Sequence, residues 1–357
     1  MNNSHKQLLL VGSIPFETVL EVFERFGKRL GPHLVSMPDG EVGPRSHWIS
    51  RIHYQILNGH PELEVVRRPK PDDAGIERLN PRNASDSYQF RVRPGIERVR
   101  FGDPGWRLGF ARDAHNSYFM FRTLRDQGIL APHLRFQVSM PLVNSALPQR
   151  IFVDPCDIDR IRPGYEAALA AEIATIVRII PSEDLAIQWD CATEVQDVNG
   201  HMTNMSTDEA IERSIGQVRR LCSAIPETAM LGFHFCFGTL GGWPRFSPAD
   251  LGPTVGLANA AVEAAGRRVD WIHIPLLDTD DNAFFAPLAD LRPRGARVYL
   301  GAIHNMHRFE KRMAIASRHL REFGIGAFCG FGRSNPGELD RVLADHEQAL
   351  ALARPGA

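Results

Sequence analysis

The sequence predicts a single (β/α)8 barrel, and three observations carry that expectation. Eight short apolar runs are bounded by turn residues, stretches with a helical period separate most of them, and reactive polar residues cluster where the runs end. Strands that alternate with helices pair in parallel, and eight of them close into a barrel. A doubly wound open sheet is the rival arrangement, but no Gly-x-Gly-x-x-Gly follows the first run.

The runs cover residues 8–12, 33–37, 134–139, 185–190, 230–236, 270–275, 298–302 and 325–329. Amphipathic patterns at 16–30, 165–180, 207–224, 257–267 and 309–323 supply helices between them. Asp208 and Glu209 follow Ser206-Thr207, the composition of a capped first turn. Residues 60–104 break the rhythm, being rich in Pro, Arg, Asp and Asn. Only two strands precede that stretch, too few for a domain, so it reads as a rim insertion or lid between the second and third strands of one domain spanning 1–357.

Composition narrows the function classes. The chain of 357 residues is 43% hydrophobic and 23% charged, ordinary for a globular protein with a large core. Its net charge of −1 gives no field that would attract nucleic acid or an anionic membrane. The N-terminal apolar run is too short to cross a bilayer. Five cysteines without a signal-peptide pattern point to reduced thiols and a cytoplasmic location.

Barrel enzymes work at the C-terminal ends of their strands. Ser13, Asp39, Glu41, Ser139, Asp190, His234, Cys236, His273, His304 and Cys329 all fall there, where an idle buried polar group would be costly. In the segment 233–238 (FHFCFG), residues two apart share one side of a strand, so His234 and Cys236 can present nitrogen and sulfur to one point. Cys329 ends the last run and reaches that point across the mouth, completing a donor set that suits zinc. Blander roles stand beside these. Ser13 can cap a helix starting near Phe16, Glu41 can be a solvated loop carboxylate, and Asp190 can pair with an arginine. His273 can be a satisfied core histidine and Cys191 a packed thiol.

These residues, in this order, resemble the catalytic barrel of cobalamin-independent methionine synthase and its uroporphyrinogen decarboxylase-like relatives. Gly12-Ser13-Ile14-Pro15 is similar to the family's Gly-Ser-Phe-Pro, and Asp39-Gly40-Glu41 with Arg45 to its His-Gly-Glu segment. Gln188-Trp189-Asp190 resembles its Gln-Ile-Asp, His234-Phe235-Cys236 its His-x-Cys pair, and Cys329-Gly330 through Arg333 its closing segment. The resemblance implies zinc held by His234, Cys236 and Cys329. It also implies that Ser13, Glu41 and Asp190 contact the amino-acid part of a thiol such as homocysteine.

The family's glutamate ligand falls on Pro275, which has no donor atom. His273, on the same strand face, is the expected replacement, with Asp278 a second choice. The function this implies is zinc-dependent methyl or alkyl transfer to a small thiol from an alkyl donor. Lewis-acid work on an epoxide or similar electrophile is one alternative, and a non-catalytic barrel binding an amino acid or thiol is another.

Overall fold

The eight apolar runs become eight parallel strands that pair side by side around a ring. A computed structural model of the chain describes residues 7–102 and 108–353. Positions 103 and 104 of the expected insertion lie outside the described residues. Ten strands occur among them: β1 (Leu8–Leu9), β2 (Ser36–Pro38), β3 (Leu63–Arg67), β4 (Gln89–Val92), β5 (Arg135–Pro141), β6 (Leu185–Cys191), β7 (Met230–Phe235), β8 (Trp271–Pro275), β9 (Arg297–Ile303) and β10 (Gly324–Ala327). The order β1-β10-β9-β8-β7-β6-β5-β2 is parallel throughout, and a parallel bridge from Leu8 to Leu34 brings β1 and β2 together. This is a (β/α)8 barrel. β3 and β4 form a separate antiparallel pair within the 60–104 stretch.

β1 and β10 stop two or three residues short of their patterned runs for one reason: side chains, not neighbouring strands, satisfy the backbone there. β1 stops at Leu9, and the Val11 carbonyl accepts from Gln137 Nε2 (2.9 Å) and Gln188 Nε2 (2.7 Å). β10 stops at Ala327, whose carbonyl meets the His273 ring. Buried backbone groups need partners, and these replace ladder bonds.

The helices keep their expected places with shifted ends. The first begins at Val19, not Phe16, because Thr18 and Glu21 make a reciprocal capping box. Ser206 and Glu209 cap the helix Thr207–Cys222 in the same way. The last patterned stretch, 309–323, is helical only over Phe309–Ala316.

Leu9, Val35, Ala186, Met230, Trp271 and Tyr299 form a buried cluster apart from the main core, drawn from strands around the ring, and so plug the barrel interior. Gly232 makes this possible: a Cβ there would lie 1.8 Å from the Trp271 ring. Among the described residues, no helix is long and apolar enough to cross a membrane.

Candidate metal centre

Alternation along β7 turns His234 inward, and Cys236 follows just past the strand end, where its N–H donates to the Cys191 carbonyl at 3.2 Å. Cys329 comes from the turn after β10. One donor atom from each of the three lies within 4.8 Å of the others. The Cys236 and Cys329 sulfurs are 3.2 Å apart, and both thiols are free. With Zn–S bonds of about 2.3 Å at a tetrahedral angle, two sulfurs sit roughly 3.8 Å apart, so a small widening would admit the ion.

The two thiols are not equivalent. Cys329 is held below the usual thiol range because Cys236 donates to it and, against the cost of burial, Arg333 adds positive potential. Cys236 is pushed up as the donor of that bond and by burial, although the Gly238 N–H donates to its sulfur at 3.3 Å.

His234 carries the clearest sign of an intended ligand. Its Nε2 is buried with no partner among the described residues, while its Nδ1 lies 2.8 Å from His273 Nδ1. His273 Nε2 in turn lies 2.9 Å from the Ala327 carbonyl. A carbonyl only accepts, so His273 Nε2 must hold the proton. Burial keeps His273 neutral by lowering its pKa to about 4, so its Nδ1 is bare and accepts. His234 therefore carries its proton on Nδ1, and its Nε2 offers a lone pair. Burial, then the neighbouring His273, holds His234 neutral as well.

His273, the expected replacement ligand, is not part of the three-donor group. Both its nitrogens are spent, and it stands behind His234 as an orienting group. Asp278, the second choice, is taken by Arg312 (2.7 Å) and Arg308 (3.3 Å). Partners of this kind are worth about 10–100-fold in metal affinity. His273→Ala is thus expected to weaken zinc binding by that factor, read by chelator competition. Unchanged affinity would show that the relay does not matter.

The acidic residues split into a paired and an unpaired set. Asp39 binds Arg45 at 2.8 Å, and this pairing holds its carboxyl low against the cost of burial. Among the described residues, Glu41 and Asp190 have no such cation within ion-pair distance. Burial and then Asp190 push the Glu41 carboxyl well up. Burial raises Asp190 to about 7, despite hydrogen bonds from Gln188 (2.9 Å) and Trp48 Nε1 (2.6 Å). Glu41 also holds a left-handed backbone, φ 49°, which a non-glycine residue adopts at a cost. Its carboxylate lies against Gly12, where a Cβ would approach Oε1 to 2.9 Å. Two buried carboxylates with raised pKa values face the same cavity as the metal donors, an arrangement that suits a cationic guest.

Ser13 lines that cavity too, but it caps no helix. Its Oγ accepts from the Gly332 N–H at 3.1 Å and so ties the β1 end to the turn carrying Cys329. His304 is used structurally, 2.8 Å from the Leu276 carbonyl, and Cys191 is a buried thiol outside the donor group. Ser139 is part of the glutamine network below the site. The sequence pattern did not single out Trp48, nor Arg150, on the short 3-10 turn after β5, nor Arg245, in the loop after β7, all of which line the cavity; their position past strand ends was the available signal.

No family model and no curated protein matches the chain. The fold is similar to that of a Listeria monocytogenes protein provisionally described as a vitamin-B12 independent methionine synthase. The similarity covers 97% of each chain, with a TM-score of 0.53 and 14% identity. A weaker likeness, to the carboxyl transferase domain of Rhizobium etli pyruvate carboxylase with pyruvate, covers 87% of this chain and 59% of that one at 14% identity. Its TM-score of 0.25 lends nothing to the argument.

Proposed function

We propose that the chain is a zinc-dependent transferase that activates a small, homocysteine-like thiol and moves a methyl or other alkyl group onto its sulfur. One observation carries the reading. His234, Cys236 and Cys329 converge with a bare His234 Nε2, in a cavity that also holds the unpaired carboxylates Glu41 and Asp190. The resemblance in sequence motifs and the description of the Listeria protein support it.

Zinc held by these three residues would lower a thiol's pKa and so supply a thiolate near neutral pH. One His and two Cys leave the fourth tetrahedral position to a ligand, so the family glutamate replaced by Pro275 is not required. Two thiolate donors balance the ion's charge, which favours nucleophile activation over Lewis-acid work on an epoxide. Glu41 and Asp190 would receive the substrate ammonium, and Trp48 and Gln188 fix the Asp190 carboxylate that does so. In the transfer, sulfur bonds to the alkyl carbon as the donor's bond to that carbon breaks, and the thiol proton leaves to solvent.

Proton release tests this reading. Zinc-loaded protein should release the thiol proton on binding homocysteine at about pH 7.5–8. Methionine, whose sulfur carries no proton, would meet the same buried carboxylates with its ammonium and should release about one proton fewer. Calorimetry in buffers of different ionisation enthalpy measures the difference. Equal release for the two amino acids would refute thiol activation.

A further inference from the structure

The cavity that holds the metal donors has a second electrical character. Arg150, Arg245 and Arg333 line it from the loops after β5, β7 and β10. None of the three has a carboxylate within ion-pair distance among the described residues. Elsewhere around the barrel arginines are matched: Arg45 with Asp39, Arg51 with Asp113, Arg213 with Asp197.

Their polar contacts are few. Among the described residues, Arg150 has a buried Nε without a partner, and its Nη1 reaches only the Met202 sulfur at 3.9 Å. The Arg245 side chain has no hydrogen bond among the described residues. Arg333, exposed at the rim, donates to Thr239 Oγ1 at 2.8 Å. The three are close enough to repel. Burial and then Arg245 lower Arg150 to about 9, and burial and then Arg333 lower Arg245. The basic lining continues into an adjoining pocket shared by Arg333 and Arg78, a residue of the 60–104 stretch whose Nε is also buried and unpartnered.

Positive charges gathered in a partly desolvated cavity are unfavourable unless an anion joins them. Guanidinium forks match planar or tetrahedral oxyanions and bind them in pairs of hydrogen bonds. Glu41 acts on Arg333 through space, but among the described residues neither Glu41 nor Asp190 forms an ion pair with any of the three, and neither acts on Arg150 or Arg245.

We infer that the arginine-lined side of the cavity binds an anionic group of a substrate: a carboxylate, sulfonate or phosphate. This names the substrate class of the site proposed above, and it rests on that reading only for the shared cavity. The anion site itself needs no metal. The cavity is then bipolar, taking a cation at Glu41 and Asp190 and an anion at the arginines.

The test titrates metal-free protein at low salt with propionate, ethanesulfonate and propylphosphonate, against neutral propionamide, followed by ligand-observed NMR. At least one anion should bind about tenfold or more tightly than propionamide. Which anion does so tells carboxylate from sulfonate and phosphate chemistry. Arg150→Gln with Arg245→Gln should abolish the preference, and the corresponding lysine variants should restore part of it. Repeating the titration with homocysteine present separates two sources. Displacement means that the thiol's own carboxylate occupies the site; joint binding means that the alkyl donor carries the anion. Both uphold the inference. Equal affinity for anions and propionamide in the wild type, or a preference that survives the double glutamine variant, overturns it. Cys236→Ser should keep the preference while losing zinc, so this inference and the zinc reading fail separately.

Discussion

Serine at Cys236 or at Cys329 is expected to take the purified protein from about one zinc per chain to near none, with transfer activity lost alongside. Each sulfur is one of only three protein donors, and neutral serine is a poor replacement for a thiolate. The fold should survive. Both cysteines lie beyond strand ends and outside the interior cluster that includes Trp271 and Tyr299, and serine keeps the backbone N–H that Cys236 gives to the Cys191 carbonyl. Elemental analysis and thermal unfolding, measured together, check the two halves. Full zinc content in both variants would remove the metal assignment, and collapse of the fold would make the thiols structural.

The second large effect is expected at Asp190. Asp190→Asn keeps the shape of the residue and an oxygen to accept from Trp48, but removes the charge an ammonium would meet. A hydrogen bond to a charged group is worth about 1.5–3 kcal/mol, so homocysteine should bind roughly 10–150-fold more weakly. The same change should scarcely affect 4-mercaptobutyrate, which lacks the amine. Measuring both thiols matters because Gln188 also donates to Asp190, and local rearrangement would weaken the two alike. Equal loss for both would mean that Asp190 supports the site without reading the amine.

The barrel was legible because buried parallel strands must be apolar on both faces, so each run stood out against the amphipathic helices around it. The His234–Cys236 pair was legible for an equally local reason, the two-residue repeat of a strand. What escaped the sequence depends on partners distant in the chain. His273 shares a strand face with the expected ligand position, yet its ring is claimed by the Ala327 carbonyl 54 residues later, and no local pattern encodes that. Ser13 sits where a helix cap would stand, but Thr18 already closes a capping box with Glu21, leaving Ser13 to bind Gly332. Gly332 has its own part in this: a Cβ there would lie 1.9 Å from the Ser46 carbonyl, so only glycine lets the Cys329 turn approach so closely. Arg150 and Arg245 were invisible because loop arginines are common, and only the folded mouth shows that their charges are unmatched.

X-ray absorption at the zinc edge, recorded before and after homocysteine is added, tests the central claim most directly. The metal-loaded protein should show two sulfur neighbours at about 2.3 Å and one histidine nitrogen at about 2.0–2.1 Å, with a light atom completing the set. Homocysteine should replace that light atom with a third sulfur. A zinc shell without two sulfurs, or one that homocysteine leaves unchanged, would contradict the proposal that His234, Cys236 and Cys329 hold the ion that activates the thiol.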